Sequence, residues 1–282
     1  MSLYKFFLIN IFLLIASIGF TQQVRILTYN IRYDNPGDGI NSWTNRRIWL
    51  CEQVKQADPG IFGIQEGLIS QINYLDSTFS EYGRIGVGRE DGRRKGEFSA
   101  IYYNTQKFKV LKQATFWLSR TPGRVSVGWD AALERICTYG LLQDIGSGQK
   151  FWVFNTHFDH IGIKARKNSA MLILKKIKTL NKQGYPVVLM GDFNSGPESE
   201  PIKIINGTLQ DSKIADKSMS MGPDGTFNGF DSSKPVTERI DFIFTSKQDI
   251  GVTDYSVLRE SKENRFASDH FAVIATMIFK NQ

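Results

Sequence analysis

Six segments of the chain carry side chains that can bind metal ions or move protons, and each segment lies at the edge of a short apolar run. The residues are Asn30, Glu66, His157, Asp192 with Asn194, Asp241, and Asp269 with His270. If these segments are strand ends that share one edge of a sheet sandwich, they bring carboxylates, amides and imidazoles into a single cleft. The pattern predicts one site that combines cation binding with proton transfer.

The donor atoms of these residues favour one class of metal ion. Carboxylate and amide oxygens without cysteine suit a hard cation such as Mg²⁺, which takes few protein ligands and keeps several waters, and they disfavour zinc. The chain contains three histidines, His157, His160 and His270, and all three lie in these segments. Imidazoles placed in this way are typical of groups that handle protons near neutral pH.

Each residue also has an ordinary structural interpretation when it is taken alone. Asn30 and Asp192 could satisfy turns, and Glu66 could cap the helix that follows it. Asp241 lies close to Arg239 and could belong to a surface ion pair. We favour a shared site because the joint pattern is much harder to explain by local structure.

Hydrophobic patterning predicts the elements that position these residues. Strands are predicted over 24–31, 61–65, 186–190, 239–245, 252–259 and 271–279, with hairpins over 98–118 and 134–156 that turn at 104–105 and 146–149. Helices are predicted from 41 or 42 up to Pro59, over 67–79, and from about 164 to 180. Together these elements predict an α/β fold, a four-layered sandwich of two mainly antiparallel sheets face to face with helices outside.

Residues 1–22 are interpreted as an export signal. Lys5 supplies a positive charge, and the apolar run over 6–20 is shorter than the about 20 residues that span a bilayer. We expect a cleaved signal peptide, a secreted or periplasmic product, and no stable membrane association after cleavage. The alternative is an uncleaved membrane tether. Residues 23–282 show no linker or repeat, so a single domain is expected.

Composition narrows the functional classes only slightly. The formal net charge of +7 permits an anionic partner without identifying one. Two cysteines, Cys51 and Cys137, are too few for a disulfide scaffold or a thiolate metal site. We expect both to be buried, with a single bridge between them left open. No sequence feature indicates an obligate protein partner.

The motifs TYNIRYD, IQE, THFDH, GDFN, RIDFIF and SDH occur in this order along the chain. In that order they resemble the endonuclease/exonuclease/phosphatase superfamily, which includes pancreatic deoxyribonuclease, apurinic endonucleases, neutral sphingomyelinases, inositol polyphosphate phosphatases and nocturnin-like deadenylases. The resemblance covers nearly all of the chain after the signal. The THFDHIGIKAR and NSWTNRR segments look most similar to exported bacterial relatives of the nocturnin-like branch.

This resemblance implies a role for each residue on the metal side of the site. Glu66 is implied as the principal ligand, and Asn30 and Asp269 as residues that complete or orient the metal shell. The implied cofactor is Mg²⁺, with Mn²⁺ as a substitute. Such a cation neutralises charge that grows on phosphate oxygens during phosphoryl transfer.

The resemblance implies proton-handling roles for the remaining motif residues. Asp192 and Asn194 would align and deprotonate the attacking water, and Asp241 would fix the tautomer of His270, whose other nitrogen contacts the phosphate. His157, which stands where apurinic endonucleases carry a tyrosine, would contact the same phosphate and protonate the leaving oxygen. Either Asp192 or the pair of His270 and Asp241 remains open as the general base.

Three further residues are weaker candidates for substrate binding. Glu97 and Arg135 resemble family positions near the cleft, although each could equally form a structural salt bridge. Arg166 begins the longest predicted helix, where its charge opposes the helix dipole, so a substrate or carboxylate contact is expected. His160 is interpreted as a solvated loop residue.

The expected function is that of an exported, Mg²⁺-dependent phosphoester hydrolase, with phosphodiesterase or nuclease activity ranked first. The basic loop 89–95, together with Trp117 and Trp129 around Arg120 and Arg124, could track a nucleic acid or nucleotide, unless the loop is only solvated surface and Trp117 only covers the core. The alternative is a phosphatase or phosphodiesterase that acts on a small phosphorylated metabolite or a lipid head group. A non-catalytic binding module ranks last, because every motif keeps its reactive side chain.

Overall fold

The computed structural model describes residues 23–216, 218 and 220–280, so the predicted signal peptide lies outside the described residues. The strands are β1 (Gln23–Asn30), β2 (Ile61–Gly67), β3 (Tyr82–Ile85), β4 (Phe98–Asn104), β5 (Phe108–Trp117), β6 (Ile136–Asp144), β7 (Lys150–His157), β8 (Val187–Asp192), β9 (Leu209–Asp211), β10 (Asp241–Ser246), β11 (Ile250–Leu258) and β12 (Ala272–Phe279). The helices are α1 (Trp43–Ala57), α2 (Ile69–Thr78), α3 (Ile163–Leu180), α4 (Glu200–Asn206) and α5 (Ser212–Ala215), with a 3₁₀ helix over Pro36–Asn41.

The strands form two six-stranded sheets with matching connectivity. Sheet A has the order β11-β12-β1-β2-β4-β3, and sheet B has the order β5-β6-β7-β8-β10-β9. Each sheet has one parallel pair at its centre, β1 with β2 and β7 with β8, and its other pairs are antiparallel. The carboxyl ends of parallel strands meet at one edge of a sheet, so each central pair delivers two neighbouring segments to the same place.

Buried apolar side chains fill three interfaces and define four layers. Ile26 and Val188, from the two sheets, belong to one cluster between them. Leu50 of α1 belongs to a second cluster on the outer side of sheet A, and Ile173 of α3 to a third on the outer side of sheet B. The predicted sandwich, with mainly antiparallel sheets face to face and helices outside, is confirmed.

The predicted hairpin over 98–118 is wrong. Both strands exist, but β4 pairs with β2 and β3, whereas β5 pairs with β6 in the other sheet. The chain therefore crosses between the sheets over residues 105–107. Patterning along one strand does not reveal which sheet the strand joins, because both sheets offer the same kind of apolar interior. The second predicted hairpin is confirmed as β6 and β7.

Several short elements were not predicted from the sequence. They are β3, β9, α4 and α5, each of seven residues or fewer. Runs of this length are too short to show a clear period. No helix in the described ranges is long and apolar enough to cross a membrane.

The two cysteines lie in different layers of the sandwich. Cys51 is buried against the outer side of sheet A and Cys137 against the outer side of sheet B, and both are free. The bridge that the sequence left open is therefore not formed. Burial of both thiols agrees with the prediction.

A buried polar link joins the two sheets just below the site edge. Gln65 of β2 donates to Asn155 Oδ1 of β7 at 2.7 Å and to Thr28 Oγ1 of β1 at 3.0 Å. Asn155 Nδ2 in turn donates to the carbonyl oxygens of Ile64 and Ala100 in sheet A. Buried polar groups that are paired in this way fix the register and spacing of the sheets.

Candidate active site

The ends of the two central parallel pairs meet across the sandwich. Asn30 Nδ2 donates to Glu66 Oε1 in sheet A and to Asp192 Oδ2 in sheet B, at 3.0 Å in both cases. His157 pairs in register with Asp192 at the end of the sheet B pair. The buried amide of Asn30 therefore links three strand ends, and strand pairing adds the fourth, so the structure brings these residues together as the sequence pattern predicted.

Glu66 is aimed into the site by a local irregularity of β2. The pairing of β2 with β4 shifts register between Ile64 and Gly67, and Glu66 has φ of 66°. A non-glycine residue in the left-handed region is uncommon, and a bulge of this kind redirects a side chain at a sheet end. The carboxylate is then held by Asn30 and by the backbone N–H of Tyr33, which donates to Oε2 at 3.1 Å.

The amide of Asn30 is oriented by a backbone donor. The N–H of Arg32 donates to Asn30 Oδ1 at 3.0 Å, and only the oxygen of an amide can accept this bond. The nitrogen is therefore the atom that faces Glu66 and Asp192. In this arrangement the amide nitrogen of Asn30 orients the two carboxylates.

Asp192 is buried between the other reactive groups. Its Oδ1 accepts from the backbone N–H of Asn194 at 2.8 Å, in a turn where Asn194 has φ of 45°, a region that asparagine tolerates. Burial, reinforced by the nearby charge of Asp241, raises the pKa of Asp192 to about 7. A carboxylate with such a pKa can take up a proton near neutrality, which suits a general base.

His270 is held as a cation between carboxylates. Its Nδ1 lies 2.8 Å from Asp241 Oδ2, which also accepts from Thr226 Oγ1 at 2.6 Å. Burial alone would lower the pKa of His270, but the carboxylates of Asp241, Asp192 and Asp269 together raise it well above its ordinary value. The Nε2 atom is 3.8 Å from Asp192 Oδ2 and carries the proton that faces the site.

His157 has the opposite protonation state. Burial, followed by the positive charges of Arg135 and Arg89, lowers the pKa of His157 well below its ordinary value, so the ring is neutral. The guanidinium of Arg135 lies 3.1 Å from Nδ1 and can only donate, and the amide nitrogen of Asn194, which faces Nε2, is likewise a donor. Nε2 lies 3.5 Å from Asp192 Oδ2 and 3.0 Å from Asn194 Nδ2.

Two of the three weaker candidates line the cleft. Arg135 contacts His157, His160 and the Asp159 carboxylate, so it braces the segment that follows β7. Glu97 forms an ion pair with Arg89 at 2.8 Å and lies 3.8 Å from His157 Nδ1, and burial raises its pKa.

Arg166 has a different position from the one expected. Its guanidinium donates to the carbonyl oxygen of Asp159 at 3.1 Å, and Arg166 does not line the cleft. It therefore supports the loop after His157 from behind. His160, interpreted as a loop residue, does line the cleft.

The cleft above these residues has a volume of about 550 Å³. Sequence reasoning missed several of its lining residues, namely Arg32, Tyr33, Leu133, Phe227, Glu238 and Ile240. Arg32, Tyr33 and Ile240 lie inside the motifs TYNIRYD and RIDFIF, which could have pointed to them. Leu133, Phe227 and Glu238 lie in irregular segments whose residue types carry no such signal.

The NSWTNRR segment supplies a buried arginine that joins two segments of the site. Arg46 is almost fully buried and donates to the carbonyl oxygens of Asn41, Arg32 and Ala267 at 2.9, 2.6 and 3.1 Å. It thereby ties the segment after Asn30 to the segment before Asp269. Sequence analysis singled out this motif but did not predict that Arg46 links these two segments.

Of the two tryptophans expected to stack bases, Trp129 is half-buried and Trp117 is not available for that role. Trp117 is buried, and its indole N–H donates to the carbonyl oxygen of Arg89 at 2.7 Å. Arg89 is itself buried in the ion pair with Glu97. Of the basic loop 89–95, Arg93, Arg94 and Lys95 remain exposed.

A family model described as the Endonuclease/Exonuclease/phosphatase family matches residues 27–270. The chain belongs to this family. The match runs from β1 to His270 and so includes every motif residue of the site. Members of the family are phosphoester hydrolases, and this protein is a phosphoester hydrolase of the family.

Solved structures of the family resemble the chain over nearly its whole length. A family protein from Bacteroides thetaiotaomicron is 37% identical, with a TM-score of 0.88 over 92% of this chain and 99% of that chain. A mannosyl-6-phosphatase from the same organism is 38% identical, with a TM-score of 0.85 over 91% and 100%. The human nocturnin catalytic domain shares the fold at 19% identity, with a TM-score of 0.72 over 92% and 95%.

Curated relatives match over shorter stretches. The probable RNA exonuclease NGL3 of Saccharomyces cerevisiae is 27% identical over 212 residues, which are 66% of this chain and 41% of that protein. An uncharacterized protein of Acanthamoeba polyphaga mimivirus is 28% identical over 168 residues, 55% of this chain and 60% of that protein. The chain thus matches about 60% or less of the length of these two relatives.

Enzymes of this family generally depend on a divalent metal ion, and two groups of residues here offer donors. Asp192, Asp241 and His270 place three ligand atoms within 4.8 Å of one another. However, the carboxylates around His270 raise its pKa well above the ordinary value and so keep it protonated. A protonated imidazole cannot act as a ligand.

The sheet A carboxylates fit a hard cation better. Glu66 and Asp269 both line the cleft, and each has oxygen lone pairs that its observed hydrogen bonds leave unused. Burial raises the pKa of Asp269, and the charge of Glu66 raises it further. A cation between them would relieve this repulsion, and an all-oxygen donor set suits Mg²⁺ or Mn²⁺.

Proposed function

We propose that the protein is a Mg²⁺-dependent phosphatase that hydrolyses a phosphate monoester of a small compound. The observation that carries the proposal is Asp192, a buried carboxylate with a raised pKa, placed between a protonated His270 and a neutral His157. Neighbouring groups whose pKa values are shifted in opposite directions are typical of the acid and base residues of hydrolases. The mannosyl-6-phosphatase similarity, which extends over that entire chain, supports a monoester.

The cleft geometry also supports a small substrate over a polynucleotide. Its volume of about 550 Å³ is typical of a small-molecule site. Of the two tryptophans that the sequence offered for base stacking, Trp117 is buried and Trp129 is half-buried. We therefore favour the alternative that the sequence ranked second.

On this proposal the residues divide the reaction among them. Glu66 and Asp269 would hold Mg²⁺, which supplies positive charge to the phosphate oxygens when bound. Asp192 takes one proton of the attacking water, which the Asn194 segment aligns, as the new bond to phosphorus forms. The leaving oxygen takes a proton from a solvent water as its own bond to phosphorus breaks. The protonated Nε2 of His270 donates to a phosphate oxygen, and Asp241 keeps the ring in place.

His157 has a narrower role than the family resemblance implied. Its neutral ring carries a single proton and is a weak acid, because giving up this proton would leave an imidazolate. We therefore assign His157 to phosphate contact and not to protonation of the leaving oxygen. Arg135, which contacts Nδ1, holds the ring in place beside the cleft.

A nuclease or phosphodiesterase remains the second candidate. The similarity to the probable RNA exonuclease and the exposed Arg93, Arg94 and Lys95 favour it. Cationic loops of this kind would make polynucleotide binding strongly dependent on salt.

Hydrolysis of a substrate panel separates the two candidates. Phosphate release from hexose 6-phosphates is compared with cleavage of bis(p-nitrophenyl) phosphate and of a short oligoribonucleotide, each with Mg²⁺ and with EDTA. We expect metal-dependent turnover of the monoesters, with kcat/KM at least about tenfold above that of the diester. Salt-sensitive cleavage of the oligoribonucleotide without monoester turnover would establish the nuclease instead.

We further propose that the protein is exported through a signal within residues 1–22 and acts in the periplasm or outside the cell. The short apolar run after Lys5 supports this proposal. Cell fractionation and N-terminal sequencing of the mature protein test it. Full-length protein found in the cytoplasm would contradict export.

A further inference from the structure

A second groove adjoins the reactive cleft on the side of the segment 227–238. This groove has a volume of about 400 Å³ and shares two residues, Phe227 and Glu238, with the cleft that contains the reactive groups. A substrate whose phosphate lies among the reactive residues can therefore extend into the groove. The chemistry of its walls indicates which leaving group fits there.

Phe227 presents a fixed aromatic surface to the cleft. Its backbone N–H donates to the backbone carbonyl oxygen of Glu238 at 3.0 Å, and the backbone N–H of the next residue, Asn228, donates to the carbonyl oxygen of Asp269 at 2.8 Å. The ring contacts the His270 ring with centroids 5.1 Å apart, yet 37% of Phe227 is exposed. The side chain is thus anchored against a reactive residue and keeps a free apolar surface beside it.

The rest of the groove is polar and carries negative charge. Asp231 and Lys234 pair with each other at 2.9 Å. Among the described lining residues, Glu238 is the other charged group, and it is exposed. A carboxylate here accepts hydrogen bonds from hydroxyl groups and repels a further phosphate of a nucleic acid backbone.

An aromatic surface next to a hydrogen-bond acceptor suits one chemical class. A cyclic polyol has an apolar C–H face that can pack on a ring and hydroxyl groups that donate to a carboxylate. We propose that the groove between Phe227 and Glu238 binds the alcohol portion of the substrate, and that this portion is a cyclic polyol such as a hexose. The inference rests on the proposed phosphatase function and specifies the class of its substrate.

Steady-state kinetics on two substrates test the groove. The selectivity is the ratio of kcat/KM for glucose 6-phosphate or mannose 6-phosphate to kcat/KM for ethyl phosphate, which has no ring to pack. We expect Phe227→Ala to lower this ratio about tenfold and Phe227→Trp to preserve it. Glu238→Ala lowers the ratio through lost hydroxyl contacts.

Two leucines serve as matched controls, because each is 40% exposed. Leu111 lies outside the cleft, so Leu111→Ala leaves the ratio unchanged. Leu133 lines the cleft without lining the groove. If Leu133→Ala lowers the ratio and Phe227→Ala does not, the alcohol portion binds beside Leu133 and not in the groove. Equal loss on both substrates in Phe227→Ala would show that the ring acts only through His270.

A binding measurement separates failure of this inference from failure of the phosphatase proposal. Saturation-transfer NMR with free mannose or glucose needs no turnover, and we expect a signal with the wild type that Phe227→Ala weakens and Phe227→Trp retains. If neither monoester is hydrolysed but the hexose signal shows this pattern, the inference that the groove binds a cyclic polyol is supported and the phosphatase proposal fails. If monoesters are hydrolysed without a hexose signal or a change in selectivity, the groove inference is overturned.

Discussion

The two sheets supply the two halves of the site from equivalent positions, but with different chemistry. In sheet A, the parallel pair β1 and β2 ends in Asn30 and Glu66, and Glu66 is half-buried with oxygen atoms directed to the cleft. In sheet B, the parallel pair β7 and β8 ends in His157 and Asp192, and both are buried with strongly shifted pKa values.

This difference shows that topology fixes where reactive groups lie, while burial fixes what they do. The half-buried carboxylate of Glu66 suits a hydrated cation, because Mg²⁺ keeps several of its waters. The buried side suits proton transfer, because desolvation raises the pKa of the Asp192 carboxyl towards neutrality. His270 connects the halves: it precedes β12 of sheet A and is held by Asp241 of sheet B.

The largest effect is expected in the sheet B half. Asp192→Asn removes the base but keeps the size of the side chain, so kcat for a phosphate monoester falls by about 10³-fold or more. Circular dichroism and gel filtration serve as controls for folding. Loss of less than about tenfold would transfer the role of base to the pair of His270 and Asp241.

A smaller effect, which depends on the Mg²⁺ concentration, is expected in the sheet A half. Glu66→Gln weakens cation binding, so the Mg²⁺ concentration for half-maximal activity rises by about 10- to 100-fold. Excess Mg²⁺ should restore much of the activity to this variant and none to Asp192→Asn. If high Mg²⁺ also restores the activity of Asp192→Asn, the two halves do not have the separate roles proposed here.

Stability without metal should depend on pH through Asp192. The folded pKa is about 7, above the ordinary value of 3.8, so the folded state binds this proton more tightly than the unfolded state. The associated stability is present below the unfolded value and is lost as pH rises through the folded value. In EDTA, the free energy of unfolding of Asp192→Asn, taken relative to that of wild type, should increase by about 1 to 3 kcal/mol between about pH 5 and pH 8.

Urea unfolding of both proteins at the two pH values measures this change. The free energy of unfolding is compared as a difference between variant and wild type, which cancels groups that titrate alike in both. A constant difference across the range would show that Asp192 is not the buried carboxylate that titrates.

The smallest effect concerns the layers outside both halves. Burial raises the pKa of Cys51 to about 12 and that of Cys137 well above its ordinary value. Neither thiol should react with Ellman's reagent in the native protein near pH 8, whereas both should react in guanidinium chloride. Absence of thiol signal after unfolding would indicate a disulfide and contradict the structure.

The sequence was sufficient to predict the sandwich and the motif residues, because apolar runs that end in Asn30, Glu66, His157 and Asp192 are a local signal. It was not sufficient to separate β4 from β5, because strand pairing depends on distant partners. Neighbouring charges decide the opposite protonation of the two histidines, and these neighbours come from different strands. The position of Phe227 in a loop without periodicity carries no signal at all.

The most direct test of the division between the halves is a Mn²⁺ titration followed by electron paramagnetic resonance. Mn²⁺ binding to wild type, Glu66→Gln and Asp192→Asn is measured without substrate, so that binding is separated from turnover. The account predicts that Glu66→Gln weakens Mn²⁺ binding by about 10- to 100-fold, while Asp192→Asn binds within a few-fold of wild type. The reverse result would place the metal in the Asp192, Asp241 and His270 cluster and contradict the assignment of the two halves.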